Sequence, residues 1–293
     1  MKKRLLLLIL FTLLSIGNGC QVRSAHFEGQ RALKHVQALC ELGPRPAGQE
    51  ANRKAAEYIG NTLQRYGWSV EKQSFIYSRE ALQNVIAKRG KGPLVVIGTH
   101  FDTRPIADRD PTDRSRPILG ANDGGSGTAV LLELARVLDE SVFQNIEVWL
   151  VFFDGEDRGD LGGWAWCVGS QHFVASLRRR PEYALIVDMV GDQDQRIYYE
   201  WSSTLWLQEK VWRIANELGY SKHFVPRYRY RIIDDHTSFL TMGIPAAVII
   251  DFDYPYWHTL QDTPDKISPQ SLQRIGDVLE YLLEKEPLGA SGN

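Results

Sequence analysis

Residues 148–157 read Val-Trp-Leu-Val-Phe-Phe-Asp-Gly-Glu-Asp: an apolar run of strand length followed at once by three carboxylates. Such a run buries on both faces of a sheet, and its abrupt end delivers the acids to one rim. In open α/β sheets that rim is where ligands bind. The adjacent carboxylates Glu156 and Asp157 suit a division of labour in which one group holds a metal and the other moves a proton.

The neighbouring sequence supplies the remainder of such a sheet. Strands are predicted over residues 68–77, 84–88, 93–98, 148–153, 183–187, 197–200 and 246–250. Helical spacing of apolar residues covers 28–42, 49–66, 128–138, 205–218 and 268–283, with further helices starting at Gly169-Ser170 and after Asp234-Asp235-His236. Strands alternate with helices without a linker-like break after residue 27. The expected fold is therefore α/β: a single doubly wound domain with a central mixed, mostly parallel β-sheet flanked by helices. Two early strands adjacent in sequence account for the antiparallel part. A chain of 293 residues, 43% of them hydrophobic, is long enough for the core this requires. The alternation Arg227-Tyr228-Arg229-Tyr230-Arg231 reads as a solvated edge strand.

The first twenty residues differ from the rest. Met1-Lys2-Lys3-Arg4 is a basic start, residues 5–16 are almost wholly apolar, and Gly17-Asn18-Gly19-Cys20 follows. This is the pattern of a bacterial export signal, with an apolar stretch too short for a comfortable membrane span. Cys20 after small residues points to lipid attachment, although Gly17 stands where a lipoprotein signal usually has an aliphatic residue. The expectation is an exported protein, periplasmic or tethered to the membrane through Cys20. Residues 21–27 are expected to serve as a tether and 28–293 to form the folded domain, catalytic and zinc-dependent on the residues considered next. The formal charge of −2, which becomes more negative once Lys2, Lys3 and Arg4 are removed, gives no footprint for nucleic acid. Cys40 and Cys167 lack metal-binding spacing and read as buried thiols rather than a disulfide.

Acid or imidazole recurs at strand ends and the loops after them: His100, Asp123, Glu156-Asp157, Asp188, Asp234-Asp235-His236 and His258. Strand C-termini share one edge in such folds, so these groups should converge. Carboxylates and imidazoles without thiolates suit zinc in an open, catalytic site. Asp154 reads as a turn residue, and the Asp108-Arg109-Asp110 loop as solvated rather than as a calcium site.

His100, Asp123, Glu156-Asp157, Asp188 and His258, in this order, resemble the co-catalytic zinc aminopeptidase superfamily over roughly residues 30–285. Within it the chain is more similar to the animal-type glutaminyl cyclases and their bacterial relatives. Three features carry that narrower resemblance: the extra acid Asp234 before Asp235-His236, the Trp-containing insertion between Asp157 and Gly169-Ser170, and Tyr256-Trp257-His258-Thr259. The runs Trp166-Cys167-Val168-Gly169-Ser170-Gln171 and His100-Phe101-Asp102-Thr103-Arg104-Pro105 look particularly like the bacterial enzymes. The resemblance implies one zinc ion held by Asp123, Asp157 and His258, with Glu156 as general acid and base and a proton network through Asp188 and Asp234. It implies Trp257 and a tryptophan of the insertion, Trp164 or its neighbour Trp166, as pocket walls, with Trp164 carried as the substrate-binding candidate. The implied substrates are peptides or proteins with N-terminal glutamine, cyclised to pyroglutamate with release of ammonia. The rival implication is a dinuclear zinc aminopeptidase, with His100 and Asp188 on a second metal. The chain departs from the animal enzymes where their last strand carries a histidine, near Val248, and in having no cysteine before His100 to form their disulfide.

Overall fold

The computed structural model describes residues 26–286. The expected export signal, Cys20 and residues 21–25 of the expected tether lie outside them. No helix among the described residues is long and apolar enough to cross a membrane.

The strands are β1 (Ser69–Tyr77), β2 (Glu80–Gly90), β3 (Leu94–His100), β4 (Glu147–Phe153), β5 (Tyr183–Asp188), β6 (Ile197–Glu200), β7 (Phe224–Tyr230) and β8 (Ala246–Ile250). Six of them form one sheet in the order β1-β2-β4-β3-β5-β8. The β1–β2 and β2–β4 pairs are antiparallel, and β4, β3, β5 and β8 run parallel. The sheet is thus mixed and mostly parallel, as its apolar central strands require. β2 is longer than the periodicity suggests because its residues from Glu80 to Lys88 pair with β1 and its last two, Arg89 and Gly90, pair with β4. Ser78 and Arg79 turn the hairpin at φ 48° and 71°. Two successive positive φ values are the type I′ geometry, reached here without the Asn-Gly that usually announces it. β6 and β7 form a separate parallel pair.

The helices are α1 (Gly29–Glu41), α2 (Glu50–Arg65), α3 (Gly125–Val137), α4 (Val142–Asn145), α5 (Val168–Ala175), α6 (Leu205–Glu217), α7 (Asp235–Thr241) and α8 (Pro269–Lys285). The period-2 geometry of a strand sends alternate side chains to opposite faces. Val95, Ile97, Leu150 and Leu185 pack with Ile59 of α2, Val130 of α3, Val211 of α6 and Ile275 of α8. Val96, Val151, Phe153 and Ile186 pack with Phe173 of α5 and Phe239 of α7. Both faces are covered, the doubly wound arrangement. Phe27, assigned to the tether, belongs to this core. Its backbone N–H donates to Glu280 at 3.0 Å, and a Cβ on Gly276 of α8 would lie 2.3 Å from its ring, so glycine makes room for the aromatic. β3, β4 and β5 all end on the same rim, at His100, Phe153 and Asp188.

Candidate active site

His100 closes β3 and Asp188 closes the parallel neighbour β5. Parallel register sets them side by side, with His100 Nε2 3.0 Å from Asp188 Oδ1 and 3.2 Å from Asp123 Oδ1. Asp123 arrives from the loop entering α3. Gly124, at φ 76°, makes that entry possible; a Cβ there would fall 2.4 Å from the Asp102 carbonyl oxygen and against the His100 ring. The buried carboxylate of Asp262 fixes the loop by accepting from the backbone N–H groups of Asn122 at 2.8 Å and Asp123 at 3.1 Å.

After β4 the chain turns through Asp154 and Gly155. Asp154 does more than turn: it is fully buried and accepts from Asn52 Nδ2 at 2.9 Å and from Gln83 N–H at 3.0 Å, bracing the strand end. Asp102 receives the backbone N–H groups of both Glu156 and Asp157, each at 3.1 Å. One carboxylate thereby sets the orientation of the pair.

Asp157 Oδ1 lies 3.1 Å from His258 Nε2, and Asp123 Oδ2 lies 3.7 Å from the same nitrogen. His258 sits at φ 58° in its long loop, and its other nitrogen, Nδ1, is 3.0 Å from Asp108 Oδ1. Asp108 is in turn held by Arg104, Nε to Oδ1 at 3.1 Å and Nη2 to Oδ2 at 2.8 Å. The loop expected to be solvated therefore orients His258. A carboxylate on the far nitrogen of a ligand imidazole fixes its tautomer and raises its basicity. Asp108→Ala is expected to weaken zinc binding roughly 10–100-fold while the fold is kept, which a competition titration with a chromophoric chelator reads directly.

Burial holds the Glu156 carboxyl well above its ordinary range; the charge of His100 opposes this, and Asp235, Asp157 and Asp234 add to it. The Cys167 thiol lies 3.4 Å from Glu156 Oε1 and can donate to it. The two cysteines expected as buried thiols are indeed free and buried, but Cys167 touches the candidate base. Asp234 caps α7 by accepting the Asp235 N–H, and its Oδ2 has no hydrogen-bond partner. Burial and then the charge of Asp188 push Asp234 up to about 7.

Asp123, Glu156, Asp157, Asp188, Asp234 and His258 line one cavity of about 330 Å³, together with Trp166, Phe252 and Trp257, while His100, Asp235 and Cys167 are not part of its lining. Trp257 packs on the His258 ring with centroids 4.1 Å apart, and Trp166 lies nearly parallel to the same ring at 6.5 Å. Trp164, the substrate-binding candidate of the insertion, does not line the cavity. It is buried in a satellite core with Ala47, Leu82 and Val168, with Arg158 over its ring at 4.0 Å. Side-chain-free Gly159 is what lets Trp166 take the wall instead, since a Cβ there would lie 2.0 Å from the Trp166 ring. His236 also stays out of the cavity. Fully buried, it sets Nε2 3.2 Å from Glu200 Oε2.

Among the described residues, two trios offer ligand atoms within 4.8 Å of one another: Asp123, Asp157 and His258, and His100, Asp123 and Asp188. The first fits a zinc ion on its own terms. Its atoms are oxygen and imidazole nitrogen, and Asp123 Oδ2 and Asp157 Oδ2 are buried without any hydrogen-bond partner, an arrangement that a cation repairs.

The family model for peptidase family M28 matches residues 84–283. Aminopeptidase YwaD of Bacillus subtilis is 30% identical over 69% of this chain, which spans only 44% of that protein's length. Bovine glutaminyl-peptide cyclotransferase is 25% identical over 81% of this chain and 77% of its own. Among solved structures, the glutaminyl cyclase of Tannerella forsythia is 31% identical, with a TM-score of 0.82 over 90% of this chain and 100% of that one. A Zn-dependent exopeptidase of Parabacteroides distasonis is 29% identical, with a TM-score of 0.83 over 89% and 99%.

Proposed function

The chain belongs to peptidase family M28 and is homologous to glutaminyl-peptide cyclotransferases, and from that premise we propose that it cyclises the N-terminal glutamine of peptides or proteins to pyroglutamate, releasing ammonia. The observation that carries this is the walled cavity: Glu156, Asp188 and Asp234 face a space closed by the rings of Trp166 and Trp257. One zinc ion, held by Asp123, Asp157 and His258, would supply Lewis-acid polarisation of the substrate's γ-carboxamide oxygen.

The chain's own residues do the remainder. The acidic cavity binds the substrate's α-amine and holds it against its own side-chain carbonyl, so that the attack is intramolecular and orientation supplies much of the rate. Glu156 takes a proton from the amine as the new carbon–nitrogen bond forms. It returns that proton to the amide nitrogen, which leaves as ammonia when the old bond breaks. A carboxyl raised by burial is suited to accepting and giving a proton in one cycle. Asp188 and Asp234 share a proton near the departing nitrogen. Trp166 and Trp257 exclude water, whose attack would give glutamate instead. We place the enzyme outside the cytoplasm, free in the periplasm or tethered through Cys20, on its N-terminal sequence.

The second trio favours a rival reading. His100, Asp123 and Asp188 could hold a second zinc, as a dinuclear aminopeptidase requires. Metal analysis of the protein purified with excess zinc and then desalted separates the two. One tightly bound zinc per chain is expected, and two would sink the cyclase reading.

A further inference from the structure

β7 ends where the cavity begins. Arg227, Arg229 and Arg231 share one side of this extended stretch and are exposed, while the alternate tyrosines pack inward. Tyr228 stacks on Trp201 with centroids 4.3 Å apart. Arg229 is matched internally, 3.1 Å from Asp253, and the Tyr230 hydroxyl bonds to the same carboxylate. Arg231 differs: it has no ion pair or hydrogen bond from its guanidinium among the described residues, and it lines the mouth of the cavity with Ile232 and Ile233. The segment that carries it is firmly built. The buried carboxylate of Glu200 accepts the Ile232 N–H at 3.2 Å on one oxygen, and the N–H groups of Ser202 at 2.9 Å and Ser203 at 2.7 Å on the other.

Trp257, another wall of the cavity, carries a second such cation. The Arg109 guanidinium lies 3.9 Å from that ring's centroid and pairs with no carboxylate among the described residues. Its backbone N–H donates to the His258 carbonyl at 3.2 Å, which fixes it beside the site.

The sign of these charges is unexpected for the cavity they border. Glu156, Asp157, Asp123, Asp188 and Asp234 make the interior acidic, which suits an ammonium group or a metal ion and repels a peptide carboxylate. Arg231, which lines the cavity, and Arg109, which lies on the ring of its Trp257 wall, reverse that sign where the peptide must leave. The glutamine is consumed at the buried end, so its own carbonyl leads outward. At about 3.3–3.6 Å per extended residue, the next two residues extend about 7 Å further outward from that carbonyl.

We propose, resting on the cyclase reading, that Arg231 and Arg109 form a carboxylate-binding subsite, and that preferred substrates carry Asp or Glu at the second or third position after the N-terminal glutamine. Exposed ion pairs are weak and salt-screened, so the preference is moderate and acts on KM. The test is kcat/KM for a neutral Gln-Ala-Ala peptide and for its relatives with Glu or Lys at position two or three, using the zinc-loaded wild type, Arg231→Ala, Arg231→Glu and Arg109→Ala. Wild type should favour Glu over Lys about three- to tenfold at low salt, with the ratio shrinking at high salt. It should move toward unity in Arg231→Ala and Arg109→Ala and invert in Arg231→Glu. Because each ratio is taken within one preparation, partial loss of folded protein cancels. Equal values for Glu and Lys in wild type, or a ratio unchanged in Arg231→Glu, would overturn the subsite alone. No turnover of the neutral peptide by zinc-loaded wild type would overturn the cyclase reading itself, and the subsite with it.

Discussion

Glu156→Gln should lower turnover of a glutaminyl peptide by roughly a thousandfold, within the range that a positioned acid–base group contributes, while leaving zinc bound. The substitution keeps the side chain's shape and an oxygen for the Cys167 thiol, which lies 3.4 Å from Oε1. It leaves the backbone bonds from Glu156 and Asp157 to Asp102 intact. What it removes is the capacity to accept a proton from the amine. Since that acceptance occurs on the way to the transition state, kcat and kcat/KM should fall together with little change in KM. Steady-state kinetics with a zinc assay on the same sample checks this. An active Glu156→Gln enzyme would mean the proton moves through another group, with Asp188 and Asp234 the first to test.

His258→Ala should cost zinc affinity about a thousandfold or more, one ligand's share of a three-ligand site. It should abolish activity in metal-limited buffer. Here the loss reaches further than one nitrogen, because Asp108 loses the imidazole it orients and Trp257 loses the ring it packs against at 4.1 Å. The pH dependence of wild-type binding provides an internal check. In the metal-free protein burial tends to depress His258, but Asp157, Asp108 and Asp123 outweigh it and raise the imidazole to about 9. Its proton contributes stability that is fully present below the unfolded value near 6.5 and is lost as pH rises through about 9. Zinc must displace that proton, so apparent affinity should climb between pH 6 and 9 and level off above. His258→Ala should flatten that climb. Zinc affinity measured across this range in both proteins is the readout, and a pH-independent wild type would contradict the ligand assignment.

The run into Glu156 and Asp157 could be located from sequence because strand-length apolarity ending in charge has few other uses, and the parallel sheet follows from the same logic repeated at β3, β5 and β8. Convergence of His100, Asp123, Asp157, Asp188, Asp234 and His258 was legible for that reason: each sits at a strand end or in the loop that follows one. The groups that hold them in place were not. Asp102, Asp108 and Asp262 act through backbone N–H groups or through another side chain, and a loop aspartate that braces reads no differently from one that caps a turn. The spacing of Arg104 and Asp108, four residues apart in a loop, is a weak signal of their pairing. Trp164 and Trp166 are two residues apart in a Gly-rich loop without periodicity. Which one faces the cavity depends on the ring space over Gly159, a tertiary fact. Ser78-Arg79 hid the β1–β2 hairpin turn because neither residue favours positive φ.

The central claim is that the cavity turns the substrate's own amine, rather than water, onto the glutamine side chain. The most direct measurement is the product balance of the zinc-loaded protein on matched peptides beginning with Gln and with Leu. Ammonia should be released from the Gln peptide in equal amount to the pyroglutamyl product, with every peptide bond intact and the Leu peptide unchanged. Liberation of free N-terminal amino acid from either peptide, without ammonia, would contradict this account and identify an aminopeptidase.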